Sequence, residues 1–249
     1  MTASAHSIRS LKFAILELLS SSSLSKAHKI NVIGRTNQPG HLENHLRCTF
    51  LLTDRALAYR AFEELKSDGL ICLTMDDLID PESWVVITER GKIALERRAL
   101  DSLDEKLQSI SPRLVDIRAG AWSAVVSLEP DALRQAAHSG RELIDQVLKE
   151  AAPDARIEEQ TWYVADPSSK SGITRKQRLR YIMQTFRNDE SESNLRVADK
   201  ACELVLAIDD RLKSFAHARV QILRTDVEDA MSGAEIALRR LLLGGGSDG

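Results

Sequence analysis

The sequence has few of the residues that staple a chain or anchor it in a membrane. Its three cysteines, Cys48, Cys72 and Cys202, are scattered, odd in number and never spaced as CxxC. That argues against a disulfide framework or a thiolate zinc site and suits a reducing cytoplasm. No stretch reaches the roughly 18 consecutive apolar residues of a membrane helix, so no membrane partner is expected. The opening residues Met1-Thr-Ala-Ser-Ala-His lack the basic region and apolar run of a signal peptide, and a cytoplasmic location is expected. The formal net charge is only -3, so any nucleic-acid binding must come from a local patch.

Several catalytic signatures are also missing. There is no P-loop and no GxSxG. There is no HExxH; His41 and His45 are four apart, but their surroundings are turn-rich and no third ligand is close. No Asp…Glu-x-Lys pattern of the kind a restriction-type nuclease carries on a β-sheet appears, which disfavours a two-metal mechanism. Neither a metal nor a cofactor is expected.

What is present is ample core and charge: 43% of residues are hydrophobic and 29% charged. That supports one large or two ordinary folded domains. Residues 7–20 repeat apolar side chains at helical spacing through Leu11, Ile15, Leu18 and Leu19. Residues 33–41 are turn-like. A second helix is expected from Thr53 as N-cap, with Leu57, Ala58, Ala61, Phe62 and Leu65 on one face and Gly69 as its stop. The β-prone runs Leu70–Thr74 and Trp84–Thr88 then predict a hairpin with a loose loop, and Thr88 opens another helix.

Beyond residue 100 the pattern is wholly helical. A connecting helix is expected to Ile110, with Pro112 opening the next. Helices are expected near 112–127, 130–150, 174–188, 193–217 and 219–243, with 151–173 a long, partly mobile connection and 244–249 a flexible tail. The predicted class is mainly α: a domain over 1–99, a connector over 100–114 and a helical domain over 115–243.

Three groups of polar residues stand out. Arg134, His138 and Arg141 recur at i, i+4 and i+7, about 110° from the apolar face of their helix, and Asp145 extends the row. Such a row can bind phosphate and move a proton near neutral pH, or be a solvated face laced by ion pairs. From Lys170 to Arg187 there are six basic residues and no acid. Lys176, Arg178, Arg180 and Arg187 are therefore candidate nucleic-acid contacts, with a solvated face as the alternative. Arg55, Tyr59 and Arg60 are the candidate contacts of the helix after Thr53, although Asp54, Glu63, Glu64 and Asp68 balance its charge.

The stretch AYRAFEELKSDGLI…WVVITERGKIAL resembles winged-helix domains over roughly residues 6–98. The resemblance implies a small helical core capped by a hairpin, its third helix able to enter a DNA groove or to dock protein. The segments LEPDALRQAAHSGRELIDQVL, RKQRLRYIM and RLKSFAHARV resemble the predicted pPIWI-associating nucleases over about residues 115–243. Such helical domains belong to bacterial conflict systems. The resemblance implies nucleic acid as substrate and a partner protein of a defence system.

The last segment also resembles the HEPN ribonuclease signature, an Arg and a His separated by four to six residues. Here Arg211 and His217 are separated by five. What this implies is metal-independent RNA cleavage, often at a homodimer interface, with His217 as general acid or base and Arg211 holding the phosphate. Leu212 departs from the polar residue that often follows the Arg. The leading expectation is an antiviral-defence effector with a winged-helix sensor or docking module. The alternative is a non-catalytic DNA-binding regulator with a helical dimerisation domain.

Overall fold

A computed structural model describes residues 6–21, 26–35, 37–75, 79, 83–127, 129, 131–186, 192–218 and 221–243. The chain is mainly helical and divides into two compact units, Met1–Asp101 and Ser102–Gly249. No helix among the described residues is long and apolar enough to cross a membrane.

The first unit opens with α1 (Ile8–Ser20), capped by Ser7, whose side chain accepts the Ser10 N–H. Leu11, Ile15 and Leu16 of α1 are fully buried. Short elements follow: β1 (Ala27–His28), α2 (Lys29–Ile33), β2 (Gly34–Arg35), β3 (Gln38–Pro39) and α3 (His41–Leu46). Then come α4 (Leu52–Ser67), β4 (Ile71–Leu73), β5 (Trp84–Ile87) and α5 (Glu89–Arg97). The expected hairpin is β4–β5, registered Cys72 opposite Val86. It gains a third strand in the order β1-β5-β4. A two-residue strand carries no alternation, so nothing in the sequence marked β1. The segment read as turn-like, 33–41, holds the β2–β3 pair.

The start of α4 also differs. Leu51 occupies the N-cap position and Asp54 receives its N–H at 2.9 Å, so the helix begins one residue before Thr53. A buried carboxylate sits behind this junction. Glu43 accepts the N–H groups of Gly40 and Phe50, both at 2.8 Å, and the guanidinium of Arg55 at 3.0 Å. Burial pushes its carboxyl up, but those donors outweigh burial and hold it below the usual range. Thr88 and Gly91 together shape the head of α5. Thr88 Oγ1 caps the Gly91 N–H, and a Cβ on Gly91 would lie 2.1 Å from the Leu70 carbonyl oxygen.

The second unit is a helical assembly: α6 (Ser102–Ile110), α7 (Pro112–Val126), α8 (Ala132–Ala151), α9 (Asp154–Glu158), α10 (Arg175–Phe186), α11 (Glu192–Ala216) and α12 (Arg224–Leu242). Its core includes Leu143, Ile144 and Val147 of α8, Val205 and Leu212 of α11, and Met231 and Leu238 of α12. The helix expected as a connector, α6, contributes Leu103 and Leu107 to this core. α8 meets α11 and α12 at Gly140, where a Cβ would lie 2.3 Å from Met231 Sδ and 3.3 Å from Leu212 Cδ1.

A buried ion cluster ties three helices together. Arg118 pairs with Asp104 at 2.6 Å and with both carboxylate oxygens of Glu235 at 2.7 Å, and Trp122 Nε1 donates to Glu235. The connection 151–173 contains α9 and a turn closed by its own bonds, Asp166 N–H to Gly172 O and Gly172 N–H to Ser169 O.

Candidate active site

One polar stripe of α8 carries the site. At about 100° per residue Arg134, His138, Arg141, Asp145 and Lys149 share a face adjoining the apolar one. The stripe does not run out into solvent throughout. Arg141 Nε lies 3.5 Å from Asp209 Oδ1 of α11, and Asp145 lies 3.7 Å from Arg175 at the head of α10. Arg175 Nη1 closes the triangle at 2.8 Å from Asp209 Oδ2. Three helices thus meet over one carboxylate.

Asp209 is 1% exposed, whereas the side chains of Arg141, Arg175 and Asp145 retain 32%, 35% and 30% exposure. The carboxylate is the floor and the two guanidinium groups are the rim. Burial pushes the Asp209 carboxyl above the usual range; Arg175 and Arg141 pull against this, and Asp210 and Asp145 add to it. Asp209 Oδ1 and Arg141 Nε, both buried, face each other at 3.5 Å, and neither makes a hydrogen bond of normal geometry with any described residue. Buried polar atoms without partners are uncommon in folded proteins. Arg141 meets Asp209 through Nε, and its two terminal amino groups make no ion pair with any described residue.

His138 stands on the same stripe, three residues before Arg141, exposed and without a side-chain partner among the described residues. At that spacing the two Cβ atoms are about 5–6 Å apart. Arg134 is farther along, half exposed and paired with Asp131 at 3.3 Å. Of this row, Arg141 is the residue joined to α11, through Asp209.

It is not joined through the other expected pair. Arg211 follows Asp209 by two residues, about 200° around α11. It stacks over Phe215 at 4.6 Å and lies 3.9 Å from Asp226. His217 is in the turn after α11, exposed, eight residues or about 12 Å along from Asp209.

The basic segment of α10 divides by face. Lys176 and Arg180 are exposed, and Arg180 stacks 4.4 Å from the Trp162 ring. Arg178 is buried, donating to the Ala152 carbonyl at the end of α8 and to Asp154. Its guanidinium closes the fold and is turned away from any surface ligand. Arg187 lies outside the described residues. In the first unit Arg55 is likewise drawn inward, to Glu43 and to the Ile33 carbonyl at 2.9 Å. Arg60 pairs with Glu64 at 2.7 Å, and exposed Tyr59 lies beneath Lys29, 4.7 Å from its ring centre.

Residues 107–241 match the family model described as a predicted pPIWI-associating nuclease. The chain belongs to that family. No curated protein and no solved structure matches it. The family segment spans over half of the chain and contains the Asp209 junction entire, with His138, Arg141, Asp145, Arg175 and Asp209.

Two members of the junction of this predicted pPIWI-associating nuclease were missed in the sequence. Neither Asp209 nor Arg175, within RKQRLRYIM, was among the candidate residues. The signal for Asp209 was available. It stands four residues after Val205 and three before Leu212, which places a carboxylate at core spacing. No group of three or more His, Cys, Asp or Glu among the described residues is arranged to hold a metal ion.

Proposed function

We propose that this chain is a nuclease effector whose helical domain acts on a phosphodiester at the α8–α10–α11 junction. The observation that carries this is Asp209, buried beneath Arg141 and Arg175 with polar atoms unfilled, inside the segment that matches a nuclease family. Asp209 holds the two arginines from below. Their outer N–H groups receive the phosphate, where fixed donors stabilise charge that grows in the transition state. His138 supplies the proton transfer. Arg134 extends the phosphate-binding row. Arg211 and His217 stand outside this junction within one chain.

The first unit serves, in this proposal, as a winged-helix docking or sensing module. Its order of helices, the three-stranded sheet and the tight Gly91 contact support that assignment. Every basic side chain of α4 is engaged by an acid: Arg55 by Glu43, Arg60 by Glu64 and Lys66 by Glu63 at 2.6 Å. A helix that reads DNA needs uncommitted cations for phosphate, so this balance favours docking on protein. The family description suggests that the partner is a pPIWI protein, which fits the defence-system role expected of this chain.

The test is cleavage of labelled RNA and DNA by the full chain, with His138→Ala and Arg141→Ala beside it. Each substitution is expected to lower the rate about 10²-fold or more. Cleavage at the wild-type rate in both variants would remove the junction from the mechanism.

A further inference from the structure

The outer face of α10 has chemistry that the junction does not use. Lys176 and Arg180 are one turn apart and exposed, and neither makes an ion pair with any described residue. Two hydrogen bonds lay residues 162–164 against that helix. Trp162 Nε1 donates to Gln184 Oε1 at 2.9 Å, and Gln177 Nε2 donates to the Val164 carbonyl at 2.7 Å. The indole is thus fixed, and Arg180 lies on it with its guanidinium carbon 4.4 Å from the ring centroid. Val164, beside the indole, is 75% exposed. Glu159, the nearest preceding acid, is taken by Arg156 at 3.4 Å.

We infer that this face is a stacking platform for the unpaired bases of a single-stranded nucleic acid. It deepens the proposed nuclease function by naming the form of its substrate, and it rests on that function for what happens to the strand next. A guanidinium lying on a ring is held flat, and a flat cation is a surface on which any base can stack. Lys176 supplies a mobile charge for the phosphates to either side. A duplex keeps its base faces covered by neighbouring pairs, so it can offer this platform only its backbone. A single strand offers both. Arg180 is five residues from Arg175, about 7.5 Å along the helix axis and about 140° around it, so the platform and the Asp209 junction share α10 but lie on different faces of it.

The experiment is fluorescence anisotropy with the full chain and fluorescein-labelled oligo(U) and oligo(dT), each against a duplex of equal length. Single strands are expected to bind at least about tenfold more tightly than duplexes. Trp162→Leu and Arg180→Lys should each weaken single-strand binding about tenfold, while Trp162→Phe keeps most of it. Arg180→Lys is the decisive variant, because it keeps the charge, sits at an exposed position and loses only the planar face. Equal affinity for single strand and duplex, or an Arg180→Lys variant that binds like wild type, overturns the platform. A protein that binds single strands in this pattern yet cuts neither probe supports the platform and contradicts the nuclease function. One that cuts both probes with no response to Arg180→Lys does the reverse.

Discussion

Two buried carboxylates, Glu43 and Asp209, are displaced in opposite directions because their donors differ. Glu43 faces two backbone N–H groups and an arginine, all within hydrogen-bond reach, and its ionised form is favoured. A carboxyl held below its unfolded value stabilises the fold above that value, and the contribution is lost as pH falls through the folded one. Asp209 is held above its unfolded value, so the sign reverses. Its contribution is complete at pH values below the unfolded pKa and is lost as pH rises through the folded one. Thermal unfolding of Asp209→Asn as pH rises above about 4 should therefore lack a fall in stability that the wild type shows. An identical slope in both proteins would contradict the burial argument. Glu43→Ala leaves Arg55 and two amides without their acceptor and should cost about 3–5 kcal/mol, read by denaturant unfolding of the first unit.

At the scale of elements, what the sequence disclosed depended on periodicity. α1, α8 and α11 have long apolar stripes and could be placed within two residues, whereas α12 starts at Arg224, five residues after the expected 219. β1 and α9 are two and five residues long, too short for any period to show, and were invisible. Partner choice was legible in neither half. Arg55 and Arg178 looked like surface cations, because a linear pattern gives the face of a residue but not the acid or carbonyl that waits across a helix junction. Gly91 shows the converse. Its place in the winged-helix-like stretch WVVITERGKIAL was plain, while the cause, the Leu70 carbonyl that leaves no room for a Cβ, needed the fold. Gly91→Ala should destabilise the first unit by about 1–3 kcal/mol, despite alanine's better helix propensity, because the obstructing atom belongs to backbone. A stabilised variant would mean that β4 and α5 are spaced more loosely than described.

For the molecule as a whole, the family segment and the Asp209 junction coincide, and the two arginine–histidine pairs seen in the sequence fall on different sides of α11. On α8, Arg141 joins a built cluster, whereas Arg211 rests on Phe215 near Asp226. The most direct test compares the rates at which wild type, Arg141→Ala and Arg211→Ala cut labelled oligo(U). The Asp209 junction predicts a loss of about 10²-fold for Arg141→Ala and a change of only a few-fold for Arg211→Ala. The opposite ranking, with Arg211→Ala inactive and Arg141→Ala unimpaired, would contradict it.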